Sequence, residues 1–391
     1  MLLDLPDAEK VERGLQHTPR EISQQPATWS KTYELCGALQ AGLNEVLRDA
    51  GIGRGATASP TVYLVGAGTS DYTGRALAPL LRRRWGCDVW AVPSTTMLTD
   101  FENFHLAGRE YLWISFSRSG DSPEGVALLE RALDQKRGIR HIVITCNQQG
   151  QMAQICARHE GRALAVILDE SVNDRGLAMT SSFSNMVLAG QCVANLADFS
   201  AFGDNVGQLA EAGRKFLPVA AEAAAAITLL GCTRACFVGS GVLRAVADES
   251  SLKVVELSAG KVTTLAETPL GLRHGPLSSV DSNTAFVAFL SSEPRRRGYE
   301  IDLLQEINRK RLGRVRAVIT TRGFDDVSSL ADYALSLECA RDFPDQYRPV
   351  LDVMLGQLIG LFASMRSGLK PDQPSPNGTI TRVVSPIKLY S

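Results

Sequence analysis

No two of the eight cysteines in this sequence stand as a CxxC pair. Cys36, Cys87, Cys146, Cys156, Cys192, Cys232, Cys236 and Cys339 show no repeated spacing, and no histidine or second cysteine pair completes a ligand set beside Cys232 and Cys236. That excludes a zinc ribbon and a disulfide framework and leaves buried free thiols in a reducing compartment. Charge of one sign is also missing: 41 basic residues face 42 acidic ones, a formal net charge of -1. There is no global positive field to hold nucleic acid or an acidic membrane. No run approaches eighteen uninterrupted apolar residues, and the charged start MLLDLPDAEKVERG is broken by Pro6, so neither a membrane span nor a secretory leader is expected. These absences point to a soluble cytoplasmic protein with neither nucleic-acid nor membrane partners, and 391 residues suffice for two ordinary domains.

What is present is an internal repeat. TVYLVGAGTS (Thr61 to Ser70) and RACFVGSGVL (Arg234 to Leu243) are each a β-rich run entering a Gly-x-Gly turn and then a helical stretch. After the first come DVWAVPS, YLWISFSRSG, HIVITCN and ALAVILDE; after the second come KVTTLAETP, TAFVAFLSSEP, RAVITTR and YALSLEC. Each half therefore reads as five short buried strands. Helical patterns such as SPEGVALLERALDQKRG and GYEIDLLQEINRKRLG separate them. Alternating β and α units predict a parallel sheet with helices on both faces, and ligands of such sheets gather beyond the carboxyl ends of the strands. The predicted organisation is a helical segment over 1–50, α/β domains over 51–210 and 211–370, and an extended tail over 371–391. The alanine-rich tract Ala212 to Leu230 is a candidate linking helix, and the tail can equally be a frayed end.

Chemistry concentrates on the strand-end loops. Gly66-Ala67-Gly68-Thr69-Ser70 closes a strand and opens a helix, where backbone N–H groups and the helix dipole favour an anion. Asp71 stands where a dinucleotide fingerprint needs a third glycine, and no lysine completes a Walker loop. The second loop, Ser117-Arg118-Ser119-Gly120-Asp121-Ser122-Pro123-Glu124, sets three serines around a glycine. Capping of a helix explains one serine; hydroxyls grouped to cradle a phosphomonoester explain all three. Farther on, Glu249, Lys253 and Glu256 recur at i, i+4 and i+7 on one helix, which for Glu249 and Lys253 reads first as a solvated ion-pair ladder. His274 lies in the turn Leu272-Arg273-His274-Gly275-Pro276-Leu277, whose glycine and proline fix the backbone around the imidazole.

These residues together resemble the SIS (sugar isomerase) domain family and, within it, the isomerase half of glucosamine-6-phosphate synthase. Gly68-Thr69-Ser70, Ser117-x-Ser119-Gly120-x-Ser122, the Glu249-to-Glu256 helix, Arg273-His274-Gly275-Pro276-Leu277 and Glu21-Ile22-x-Gln24-Gln25-Pro26 occur in the same order in that family. LAMTSSFSNM (Leu177 to Met186) and SPNGTITRVV (Ser375 to Val384) resemble the AgaS-type branch, galactosamine-6-phosphate deaminase/isomerases also described as tagatose-6-phosphate ketose/aldose isomerases. The resemblance implies two tandem three-layer αβα domains, each with a five-stranded parallel sheet of flavodoxin-like order. It makes Thr69, Ser70, Ser117, Ser119 and Ser122 the phosphate and sugar contacts and Glu256 the acid/base between C1 and C2. It also makes His274 the ring-opening group, a role that the neighbouring copy in a homodimer or higher oligomer can supply. The ligand so implied is a small sugar phosphate, with neither cofactor nor metal. No amidotransferase domain precedes the repeat, so deamination is expected rather than synthesis; plain aldose–ketose isomerisation and non-catalytic sugar-phosphate sensing are the alternatives. The synthase's tail lysine has no assigned counterpart, the nearest candidates being Arg382 and Lys388.

Overall fold

The computed structural model describes residues 2–53, 59–106, 108–136, 138–323, 327–385 and 387–390. In it the apolar runs become strands and the intervening periodic stretches become helices. Three helices, α1 (Asp7–Arg13), α2 (Thr18–Ala38) and α3 (Gln40–Asp49), precede β1 (Thr61–Gly66), α4 (Thr69–Trp85), β2 (Asp88–Pro93) and α5 (Ser94–Thr99). Then come β3 (Tyr111–Ser117), α6 (Pro123–Gln135), β4 (Ile139–Thr145), α7 (Gln151–Arg158), β5 (Ala163–Ile167), α8 (Ser181–Ala194) and α9 (Phe199–Leu229). The second half runs β6 (Arg234–Gly239), α10 (Leu243–Leu257), β7 (Thr263–Glu267), α11 (Pro269–Leu272), β8 (Thr284–Phe289), α12 (Pro294–Arg309), β9 (Val315–Thr321), β10 (Tyr333–Leu337) and α13 (Pro349–Arg366). The alanine-rich tract is thus the later part of a helix that starts at Phe199.

Every strand pair is parallel, from Thr61 opposite Asp88 in the first sheet to Tyr333 opposite Ala317 in the second. The five-stranded orders are β2-β1-β3-β4-β5 and β10-β9-β8-β6-β7. Counted from each sheet's own first strand, both are 2-1-3-4-5, the flavodoxin-like order that the family resemblance implies. The physical cause is in the composition: β3 and β8 are buried along their whole length, as strands covered on both faces must be. Val65, Met97, Phe101, Trp113 and Ile139 form one core on the first sheet; Cys236, Phe286, Ala288, Leu303, Leu304 and Ile307 form one on the second.

The chain divides into two compact units. The first carries β1–β5 and comprises Thr28–Asp174, Ser181–Asp204 and Ile380–Ser391; the second carries β6–β10 and comprises Met1–Ala27, Arg175–Thr180 and Asn205–Thr379. In the first unit α8 is buried along its whole length despite its serines and amides. Ser184 and Asn185 are paired: Trp29 Nε1 donates to Ser184 Oγ at 3.0 Å, Thr32 Oγ1 donates to Asn185 Oδ1 at 2.8 Å, and Asn185 Nδ2 donates to Thr28 Oγ1 at 2.9 Å. In the second unit Glu21 accepts from the backbone N–H groups of Arg175 (2.6 Å) and Gly176 (3.2 Å), and Gln25 Nε2 donates to Gln357 Oε1 at 2.8 Å. The Glu-Ile-x-Gln-Gln-Pro segment therefore does structural work here. The tail is not frayed at its start, because Asp372 accepts from the N–H groups of Gln16 and Thr18, each at 2.7 Å, and so caps α2. Helix α13 is long and apolar enough to cross a bilayer by length and composition, but 83% of it is buried within the protein.

Candidate active site

In a 2-1-3-4-5 sheet the strand order reverses between the first and third strands, and the loops leaving their carboxyl ends diverge to open a crevice. In the first unit those loops are Gly66–Ser70 and Ser117–Ser122, the two that carry the candidate hydroxyls. The turn after β1 needs glycine: a Cβ on Gly66 would lie 2.4 Å from the carbonyl carbon of Ser70, and Gly68 has φ 55°. That tight turn delivers buried Thr69 and Ser70 as the first residues of α4. In the second loop Ser117 Oγ accepts from Gly120 N–H (3.0 Å) and Ser119 Oγ accepts from Asp121 N–H (3.2 Å). Each hydroxyl spends a lone pair inside the loop and keeps its O–H to donate elsewhere. Asn147 Nδ2 holds the Ser119 carbonyl at 2.8 Å. Ser122 occupies the cap position of α6 without making a capping bond, its Oγ 2.7 Å from where a Cβ on Gly125 would lie. Helix capping therefore does not explain this serine.

Arg118 is a member of this loop that its sequence setting did not single out. It is buried, and its guanidinium donates to the carbonyl of Arg382. Arg382 in turn donates to the Asp174 carbonyl (2.8 Å) and Asn173 Oδ1 (2.7 Å). The Asp174 carboxylate accepts from Ser182 N–H (2.9 Å) and Ser182 Oγ (2.6 Å) at the start of α8. Of the two tail candidates, Arg382 is thus anchored into the first unit. Lys388 is exposed, its Nζ 5.1 Å from the ring centre of Tyr390.

The second unit carries Glu256 and His274. The solvated ladder expected on α10 is instead a buried one: the side chains of Glu249 and Lys253 have no exposed surface, and only Glu256 is partly open, at 23%. Lys253 Nζ lies 3.4 Å from Glu249 and 2.6 Å from Glu256 Oε2. Helix α13 does the burying. Its Gly356 and Gly360 face α10 so closely that a Cβ would fall 2.1 Å from Ser250 Oγ and 2.9 Å from the Lys253 carbonyl respectively. The outcome is a fixed ammonium that holds one accessible carboxylate.

His274 lies exposed in the turn after α11, and its imidazole makes no hydrogen bond or ion pair among the described residues. Within this unit it is not brought to Glu256. Arg244, in the first turn of α10, reaches Glu267 at the end of β7 and donates to the Ala266 carbonyl at 3.1 Å, while Ser251 bonds Thr264 near the start of β7. Helix and strand therefore run in opposite directions. Glu256 lies about 18 Å beyond Arg244 along the helix, at the edge of the sheet where β7 begins, whereas His274 follows the end where β7 stops.

No family model matches the chain. Individual proteins do. It is 37% identical over 390 residues to the AgaS protein of Streptomyces coelicolor, covering 99% of this chain and 98% of that one. The chain belongs to the AgaS family. A second member, the D-galactosamine-6-phosphate deaminase AgaS of Escherichia coli O157:H7, is 34% identical over 388 residues, 95% of each chain. The crystal structure of the tagatose-6-phosphate ketose/aldose isomerase from Escherichia coli superposes with a TM-score of 0.84 at 32% identity, over 93% of this chain and 96% of that one. The AgaS-type resemblance read from the motifs and the paired five-stranded α/β fold are both borne out.

Proposed function

We propose that this AgaS family member is an amino-sugar-phosphate deaminase/isomerase that converts D-galactosamine 6-phosphate to tagatose 6-phosphate and ammonia. The observation that carries the reading is Glu256: a carboxylate left partly open at the end of a buried charged row, steadied by the Lys253 ammonium at 2.6 Å. A proton carrier between adjacent carbons must be accessible and fixed in direction at once. The names borne by full-length relatives supply the substrate class. The serine hydroxyls of the first crevice supply what a phosphomonoester needs, O–H donors beside a helix N-terminus.

In the chemistry proposed, His274 assists opening of the sugar ring. Glu256 takes the proton from C2 of the open aldehyde and returns one at C1 while a proton passes from the amine nitrogen to O1, so that the C2 amine becomes an imine. Water adds to the imine carbon, the C–N bond breaks, and ketose 6-phosphate and ammonia leave. A C2 hydroxyl in place of the amine gives aldose–ketose isomerisation by the same proton transfers. The name of the Escherichia coli structural relative keeps that second reading in view.

Ammonia release from galactosamine 6-phosphate and glucosamine 6-phosphate, measured beside tagatose 6-phosphate formation, separates the two. Glu256→Gln is expected to lower kcat by roughly 10²- to 10⁴-fold with substrate still bound, and an unchanged kcat overturns the assignment. Ser119→Ala is expected to raise KM with little change in kcat; an unchanged KM removes the phosphate from this loop.

A further inference from the structure

The second sheet has the same order as the first and therefore a crevice of its own, between the carboxyl ends of β6 and β8. The loops there are also rich in donors: Ser240 after β6, and Ser291 and Ser292 after β8, ahead of Pro294 at the start of α12. The two serines after β8 are already engaged by carboxylates of the same unit. Ser291 N–H donates to Glu300 Oε2 at 2.7 Å. Ser291 Oγ donates to Asp345; Ser292 N–H (2.9 Å) and Ser292 Oγ (3.0 Å) donate to Asp345 Oδ1, the latter hydroxyl also reaching the Phe343 carbonyl at 3.0 Å. Asp345 and Glu300 are both buried. The cations a bound anion would want are present too. Arg348, fully buried, donates to Asp345 Oδ1 at 3.1 Å while Asp352 holds the other side of its guanidinium at 2.7 and 3.2 Å, and Arg296 Nη1 lies 3.6 Å from Asp345 Oδ2.

The first crevice is built the other way. Among the described residues the hydroxyls of Ser70, Ser117, Ser119 and Ser122 donate to no carboxylate. The loop's own acid, Asp121, is turned aside, accepting from Gln151 N–H at 2.9 Å. The serine hydroxyls of one crevice stay clear of carboxylates, whereas the serines after β8 in its duplicate are bonded to them.

We propose that the second crevice is a latent oxyanion site closed from within, with the Asp345 carboxylate standing where a phosphate would sit, so that each chain takes one phosphorylated ligand, in the first unit. The proposal deepens the functional reading and rests on it only for the identity of the anion. Removing the Asp345 carboxylate frees the Ser291 and Ser292 donors beside Arg348 and Arg296, a donor set suited to a divalent oxyanion.

The test is equilibrium dialysis of the intact protein against labelled inorganic phosphate, with circular dichroism to confirm folding. Wild type is expected to bind one phosphate per chain, and a Ser117→Ala/Ser119→Ala variant none. Asp345→Gly is expected to gain a second phosphate per chain, kept when the first-unit serines are also replaced. Two phosphates per wild-type chain, or residual binding in the serine variant at a site insensitive to Asp345, overturns the proposal. So does a folded Asp345→Gly protein that gains none. Should Asp345→Gly not fold, Asp345→Ala takes its place with the same two outcomes, a second phosphate gained or the proposal overturned. A wild-type count of zero instead removes the phosphate reading of the first crevice, so the two failures are distinguishable.

Discussion

Lys253 is the side chain on which the charge arrangement of α10 turns. A fully buried ammonium between Glu249 and Glu256 is costly to desolvate, and its attraction to both carboxylates offsets that cost only while all three are present. Lys253→Met deprives the buried Glu249 carboxylate of that ammonium, with an expected loss of roughly 3–5 kcal/mol in denaturant unfolding. Adding Glu249→Gln removes the stranded charge and should restore much of the stability. Turnover should stay low in the double variant, because Glu256 still lacks the group that holds it. Full activity in a refolded double variant would show that Lys253 serves the fold alone. Glu300 offers a second test at this scale. Burial above all, with the Asp345 carboxylate adding to it, outweighs the opposing effects of Ser240, the Ser291 N–H and Arg348 and brings its carboxyl from 4.5 up to about 7. Between those values the unfolded chain has released a proton that the folded chain keeps, so stability falls as pH rises through that window and levels off above 7. The full difference is about 3 kcal/mol. Urea unfolding of wild type and Glu300→Gln at pH 5 and pH 8 should show this extra fall in wild type only. Equal slopes would show that Glu300 does not titrate there.

At the scale of elements, the strands were legible because parallel strands covered on both faces are continuous apolar runs, and TVYLVG or TAFVAF cannot sit elsewhere. The crevice loops were legible for a related reason: glycines at 66 and 68 mark a turn that side chains would block, and the clustered serines follow it. The burial of α10 was not legible. Charges at i, i+4 and i+7 look alike on a wet helix and on a buried one, and the difference is made by α13, roughly a hundred residues later in the chain. A trace of it was present in Gly356 and Gly360, two glycines one turn apart in a mostly apolar helix, a pattern that permits close helix approach. The internal closing of the second crevice left no local trace at all. Ser291 and Ser292 resemble the first serine loop in composition, and only the fold brings Glu300 and Asp345 onto them.

The whole molecule must reconcile two facts about the second unit: Glu256 is fixed where β7 begins, and His274 is exposed where β7 ends. If both serve one reaction, a single copy of this unit does not pair them, and a second copy of the chain is the natural source of the imidazole. Shared sites of that kind have a kinetic signature. Glu256→Gln and His274→Ala proteins should each be nearly inactive alone. Mixed in equal amounts after dissociation and reassembly, half of the resulting dimers are hybrids, each with one site that combines an intact Glu256 with an intact His274 from the other chain. Roughly a quarter of wild-type turnover should therefore return if the assembly is a two-fold symmetric dimer with two sites. Ammonia release from galactosamine 6-phosphate, followed against mixing ratio alongside sedimentation of the mixture, measures it. The expected curve is a maximum at equal ratio; a flat curve at the level of the separate variants, with hybrids demonstrably formed, would place both groups on one chain or remove His274 from the chemistry.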